Sequence, residues 1–299
     1  MGIVSIGQAV PRHEDPTLLR GEGRYTGDIT LPNQAYGYVL RSPHAHAQIN
    51  SISTSVAKAA PGVLAVLTGD DYRAENLGKL PLVVPPIPNF DATSVFHPTR
   101  LALANNYVNF VGEEVVFIVA ETLDQAKDAA ELVEIDYNIL SAVVDAELAM
   151  KDGAPQVWPD CPNNLSFVEE MGDRKATDAA FTAAKHIVKL RSIVNRSSAN
   201  TIEARGTNAN YDPTSGHCTV YVGTQGAFGM RKTLAELIFN DTENNFRVIT
   251  GNMGGSFGMK GVYAETLLTV WASRKLHRPV KWENERTDWE NDGQPRSEW

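Results

Sequence analysis

Apolar and polar positions follow two rhythms along this chain, one suited to strands and one to helices. Val63-Leu64-Ala65-Val66-Leu67 is an apolar run of strand length that predicts a buried strand; a short helical pattern from Ala57 and a break at Pro61-Gly62 precede it. Val115 to Ala120 predicts a strand, Thr122 to Val133 a helix and Val133 to Tyr137 a strand again, a β-α-β order. Thr122 with Gln125 makes a capping-box pattern, in which each side chain satisfies a backbone N–H that the first helical turn leaves over. Upstream, Arg24 to Gly27 and Tyr36 to Arg41 read as strands on either side of the turn-forming Leu31-Pro32-Asn33. Between Leu80 and Pro98, Pro81, Pro85, Pro86, Pro88 and Pro98 remove donors and fix φ, so no regular element is expected there.

Ser141 to Met150 turns polar, and Asp152-Gly153-Ala154-Pro155 reads as a linker with a domain boundary near residues 145–150. A helix is predicted over Ala176 to Ala184 and a long strand, rich in β-branched residues, over His186 to Val194. Turn chemistry in Tyr211-Asp212-Pro213-Thr214-Ser215-Gly216 predicts a hairpin pairing Thr207 to Tyr211 with Cys218 to Val222. After Gln225, a helix ending at Asn240 places Met230, Leu234, Leu237 and Ile238 on one buried face. Phe246 to Thr250 reads as a strand, and an amphipathic helix follows through Ala264, Leu267, Leu268, Trp271 and Ala272, ending before Pro279. Val280-Lys281-Trp282 then starts another strand.

Composition narrows the function classes. A length of 299 residues suits two domains, and 42% hydrophobic residues suffice for buried cores. With 27 basic against 36 acidic residues the net charge is −9, and no Lys/Arg-rich run interrupts it, which argues against nucleic acid. Cys161 and Cys218 stand far apart outside any C-x-x-C arrangement, so neither a zinc site nor an iron–sulfur cluster can be built from cysteine here. Met1 to Pro11 lacks the pattern of a secretory leader and no window of eighteen apolar residues occurs, so the chain reads as soluble and cytoplasmic.

The densest candidate chemistry is Gly254-Gly255-Ser256-Phe257-Gly258-Met259-Lys260, between a strand and a helix, where a backbone with few Cβ atoms can turn its N–H groups toward an anion. It lacks the G-x-G-x-x-G dinucleotide fingerprint, and Gly258-Met259-Lys260-Gly261 is not a Walker loop, so a dinucleotide-binding dehydrogenase is a distant reading. Gln225 and Gly226 precede the first turn of a helix, where a carboxamide can donate to an anionic or oxo ligand beside the positive end of the helix dipole. Glu203 and Arg205, two apart, would share one face of a strand and either pair with each other or clamp a substrate. The ring of Phe257 suits a core anchor or a ligand contact. His44 and His46 lack a third nearby metal ligand and read as structural; Glu113 and Glu114 read as a solvated turn.

These motifs together resemble the large subunits of the xanthine dehydrogenase/aldehyde oxidase (molybdenum hydroxylase) family, especially the aerobic carbon monoxide dehydrogenase-like members. The likeness runs in order through Gly21-Glu22-Gly23-Arg24-Tyr25, Arg41-Ser42-Pro43-His44-Ala45-His46-Ala47, Pro61-Gly62-Val63, Leu67-Thr68-Gly69 and Val111-Gly112-Glu113. It continues through Val133-Glu134-Ile135-Asp136-Tyr137, Thr224-Gln225, the Gly254 loop and Arg278-Pro279-Val280-Lys281-Trp282. The resemblance implies an α+β fold: an N-terminal extension (1–19), an a/b hammerhead domain (20–145) and the N-terminal part of a molybdopterin-binding domain (146–299). It places Gln225, Gly226, Gly254, Gly255, Ser256, Phe257 and Gly258 at the molybdenum cofactor, in its cytosine dinucleotide form, and makes Glu203 and Arg205 substrate-pocket candidates. The metal would be held through the pterin rather than by side chains.

The family's activity is hydroxylation of an aldehyde, a heterocycle or carbon monoxide with oxygen from water, the electrons passing to 2Fe-2S clusters and FAD on partner subunits. A family member of this kind would sit in oligomers of such three-subunit units. The family's catalytic glutamate has no counterpart before Trp299, and Trp289 to Trp299 departs from the expected continuation. Ile202-Glu203-Ala204-Arg205-Gly206 departs from the family's Met-Glu-Pro-Arg-Gly, and Gly261 replaces a glutamate that binds purine in xanthine-type relatives. Aldehyde or carbon monoxide chemistry is therefore favoured over purine hydroxylation. The alternative is a non-catalytic scaffold or assembly chain that retains the fold.

Overall fold

A computed structural model describes residues 7, 9–81, 95–193 and 199–286. Its centre is a seven-stranded mixed sheet in the order β3-β5-β1-β10-β7-β8-β9, formed by β1 (Ala35–Arg41), β3 (Val63–Thr68), β5 (Glu114–Ala120), β7 (Gly206–Tyr211), β8 (Cys218–Val222), β9 (Phe246–Ile249) and β10 (Val280–Glu283). A second, three-stranded sheet orders β4 (Tyr107–Val108), β2 (Ala47–Ser53) and β6 (Glu134–Ile139) as β4-β2-β6. The large sheet joins the two halves of the chain, because β1 pairs in parallel with β10, Ala35 beside Val280.

The alternation of β5 shows why the sheet is buried on both faces. Phe117 and Val119 point into a core shared with Trp271, Leu267, Leu234 and Met230, whereas Val116, Ile118 and Ala120 meet the small sheet and the helix Leu123–Glu131. That helix starts as its sequence requires: Thr122 and Gln125 exchange side-chain-to-backbone hydrogen bonds of 3.1 and 3.2 Å. The hairpin of β7 and β8 forms with Thr207 opposite Val222.

Several local expectations gave way to tertiary context. The β-α-β order around helix Leu123–Glu131 is present, but its two strands part: β5 joins the large sheet and β6 the small one. Arg24 to Gly27 is not a strand, because the Asp28 carboxylate accepts the Tyr25 N–H at 2.9 Å and draws Thr26–Asp28 into a 3-10 turn. The expected strand from His186 forms no ladder over 186–193, where Ile187, Val188, Leu190 and Ile193 stand exposed; β-branched composition makes a strand only beside a partner. Val194 lies outside the described residues, as do 82–94 of the proline-rich segment and the tail from Thr287.

The helix after Gln225 begins as Ala227–Lys232 and widens into a π-turn over Thr233–Ile238. The wider turn keeps Leu234 and Ile238 buried with Met230 but rotates Leu237 out to solvent. The helix Ala264–Leu276 is buried from Ala264 to Ser273 on every side rather than on one, since the sheet lies beneath it and Tyr72 packs edge-on against Trp271, 5.4 Å between ring centres. It stops where His277 takes the left-handed conformation.

Candidate functional site

Strand directions bring the three distant motifs to one edge of the large sheet. β8 and β9 run parallel, with Tyr221 beside Ile249, so the Gln225 and Gly254 loops leave the sheet side by side. β7 runs opposite to β8, so Glu203 and Arg205, which lead into it, arrive at that edge. The Gln225 N–H donates to the Lys260 carbonyl at 2.8 Å and the Thr224 N–H to Thr250 Oγ1 at 3.5 Å, fastening the two loops together.

The Gly254 loop is a tight, left-handed turn. Gly255, Phe257 and Gly258 have φ of 102°, 50° and 90°, a conformation that costs a phenylalanine about 1–2 kcal/mol. The turn is closed by the Met259 N–H on the Ser256 carbonyl at 3.0 Å and the Lys260 N–H on Ser256 Oγ at 3.2 Å. The N–H groups of Gly255, Ser256, Phe257 and Gly258 have no acceptor among the described residues, and neither does the Gln225 carboxamide. Phe257 projects outward, 65% exposed, so it is no core anchor. Open space faces the Cα of Gly226 and Gly258.

Glu203 and Arg205 do not lie on a strand and do not pair with each other. Glu203 turns to the loop: Oε2 accepts the Gly254 N–H at 2.8 Å and the Lys260 ammonium at 2.5 Å, and Oε1 accepts the Thr26 N–H at 3.2 Å. A Cβ at Gly254 would meet the Glu203 Cβ at 2.5 Å, so only glycine allows this approach. Arg205 turns inward, buried over the Tyr263 ring at 4.9 Å and 3.3 Å from Glu265. Glu265 also meets Arg41 at 2.5 Å, and Glu114 joins Arg41 and Arg100 at 3.5 and 2.9 Å, a buried chain of charge under the site. Burial alone would raise the Glu265 carboxyl, but Arg205 and Arg41 overcome that and hold it well below the usual carboxylate range.

Glu113 and Glu114 are thus buried rather than a solvated turn. Glu114 is neutralised by two arginines, while desolvation pushes Glu113 up to about 7 despite the Asn109 N–H it accepts at 2.6 Å. His44 packs edge-on against Tyr137 at 4.9 Å and His46 bonds the Ser141 carbonyl at 3.0 Å. Among the described residues no group of three or more His, Cys, Asp or Glu side chains could hold a metal ion, and no helix is long and apolar enough to cross a membrane.

Two family models match this chain: the aldehyde oxidase and xanthine dehydrogenase a/b hammerhead domain over residues 20–141, and the molybdopterin cofactor-binding domain over residues 157–294. The chain belongs to the xanthine dehydrogenase/aldehyde oxidase family. Among relatives, it is 35% identical to the carbon monoxide dehydrogenase large chain of Afipia carboxidovorans, covering 93% of this chain and 34% of that one. It is 35% identical to the nicotine 6-hydroxylase large subunit of Paenarthrobacter nicotinovorans, covering 95% and 34%. Quinoline 2-oxidoreductase from Pseudomonas putida 86 superposes with a TM-score of 0.82 at 32% identity, over 95% of this chain and 35% of that one. The chain therefore spans about a third of the length of the relatives it matches. The family's mixed helix-and-sheet fold, hammerhead followed by molybdopterin-binding domain, is the fold found here.

Sequence reasoning missed Lys260 as a partner of Glu203, and it missed the Arg41, Glu114, Arg205 and Glu265 chain. Lys260 carried a signal: a lone cation between a glycine loop and an apolar helix has to find an anion when buried. The charge chain carried none, because its members lie up to 224 residues apart.

Proposed function

We propose that this chain forms the first part of the cofactor cradle of a molybdenum hydroxylase large subunit. The observation that carries the reading is that the N–H groups of Gly255 to Gly258 and the Gln225 carboxamide have no partner among the described residues, on two loops fastened side by side, with open space facing the Cα of Gly226 and Gly258. Donors on a rigid, left-handed loop suit an anionic pterin, and Gln225, Gly226, Gly254, Gly255, Ser256, Phe257 and Gly258 are the residues assigned to hold it. The cofactor, in its cytosine dinucleotide form, would supply the two-electron chemistry when bound. The protein's part is to orient it, through the loop N–H groups and the Gln225 amide, and to exclude water under it with the buried floor around Tyr263 and Arg205.

Residues 20–145 are assigned to the hammerhead and 146–299 to the cofactor-binding domain, with 1–19 as an extension. The substrate is a small aldehyde, carbon monoxide or a related molecule, oxidised with oxygen from water. Electrons leave through iron–sulfur and FAD-binding partner subunits, in the cytoplasm. The large-subunit relatives of multi-subunit enzymes support this assignment of partners. The packing of Glu203 and Arg205 into the protein weakens their candidacy as substrate contacts.

The test is metal analysis of the purified chain produced with a supply of molybdenum cofactor. Stoichiometric molybdenum, lost in Gln225→Ala/Phe257→Ala, is the expected result. A folded chain without molybdenum, or a variant that keeps it, overturns the assignment.

A further inference from the structure

We propose that Glu203 and Lys260 form a positioning latch that holds both cofactor loops in register and ties them to the N-terminal domain; the inference rests on the cofactor site proposed above. Lys260 acts at both ends of its structure. Its carbonyl receives the Gln225 N–H at 2.8 Å, while its ammonium, 1% exposed, meets Glu203 Oε2 at 2.5 Å. The same oxygen takes the Gly254 N–H at 2.8 Å, so one carboxylate fixes the first residue of the glycine loop and the lysine that closes it. The other oxygen reaches the N-terminal domain through the Thr26 N–H at 3.2 Å.

The root of the loop is gripped from the same side. The Arg24 N–H donates to Asn252 Oδ1 at 2.9 Å, and the Asn252 N–H donates back to the Arg24 carbonyl at 3.2 Å. This accounts for the Arg24-Tyr25-Thr26 stretch, which makes no strand: its backbone serves the loop. The turn that carries the N–H groups of Gly255 to Gly258 is thus held from outside, by Glu203 and Lys260, which leaves those groups free to meet a ligand. Pre-orientation of this kind is what lets a loop bind without first ordering itself. A buried ion pair is suited to the task because breaking it leaves an uncompensated charge, so the loops cannot slide apart at low cost.

The test is hydrogen–deuterium exchange of the cofactor-free chain, read peptide by peptide, for wild type, Lys260→Met, Glu203→Gln and the double variant. Each single variant is expected to speed exchange by about tenfold or more at the hydrogen-bonded amides of the two loops, Gln225, Gly226, Asn252, Gly254, Met259 and Lys260, with helix 264–276 unchanged. The double variant, which removes both charges, recovers most of the protection. Equal protection in wild type and singles, acceleration spread evenly over the chain, or a double variant no better than the singles overturns the latch. Molybdenum content of the same four proteins is measured in parallel. A wild type that binds none, with exchange as expected, sinks the cofactor assignment and leaves the latch standing as a loop clamp.

Discussion

Replacing Glu265 by glutamine tests whether the buried charge chain under the site holds the two halves of the fold together. Glu265 is fully buried, 2.5 Å from Arg41 and 3.3 Å from Arg205, and glutamine keeps its volume while removing the anion the two guanidinium groups share. Arg41 retains Glu114 at 3.5 Å and Arg205 retains the Tyr263 ring at 4.9 Å, so the loss corresponds to one broken buried pair rather than two. Breaking such a pair costs about 3–5 kcal/mol. At about 2–3 °C per kcal/mol for a chain of this size, the melting temperature at pH 7 should fall by about 6–15 °C. Scanning calorimetry of wild type and Glu265→Gln measures it. The Glu265 pKa is held down in the folded state, so its stabilisation is complete above the ordinary 4.5 and is lost as pH falls toward about 2. The gap between wild type and variant should therefore close on acidification below pH 4.5. A fall of less than about 2 °C at pH 7, or a gap that stays constant down to about pH 2, would refute the reasoning.

Burial raises Glu113 to about 7, so the folded protein binds a proton that the unfolded chain has released, and its contribution to stability falls as pH rises from 4.5 through about 7. Glu113→Gln should gain on wild type by roughly 1–3 kcal/mol in urea unfolding at pH 8 and show little difference at pH 4.5. Thr122→Ala removes one arm of the capping box and should cost about 1 kcal/mol by the same method, with the cofactor loops unaffected. Phe257→Gly relieves a left-handed backbone at a side chain that is 65% exposed; cofactor-free stability should rise by about 1 kcal/mol while molybdenum content falls, and unchanged content would remove Phe257 from the site.

The elements and the loops between them were legible because their signals are local. Apolar runs marked β3 and β5, turn residues marked the hairpin of β7 and β8, and Thr122 with Gln125 marked a helix start, each within a few residues. Two failures show what a local signal lacks. His186 to Ile193 has the composition of a strand without a neighbouring ladder among the described residues, and Leu237 has the spacing of a core residue on a helix that widens beneath it. In the first the lack of a pairing strand, and in the second a change of helical pitch, overrode a correct local preference.

The sequence by itself determined most of the strands and helices, that a glycine-rich loop follows one strand and a glutamine loop another, and which family carries that order of motifs. Only the tertiary structure decided that β8 and β9 run side by side, and therefore that Gln225 meets the Gly254 loop. It also decided the partners of the buried charges that lie far apart in the chain: Lys260 for Glu203, Glu265 for Arg205 and Arg41, two arginines for Glu114. The physical reason is that hydrophobic period and turn chemistry act over a few residues, whereas a buried charge is neutralised by whichever opposite charge the finished sheet order brings within a few ångströms.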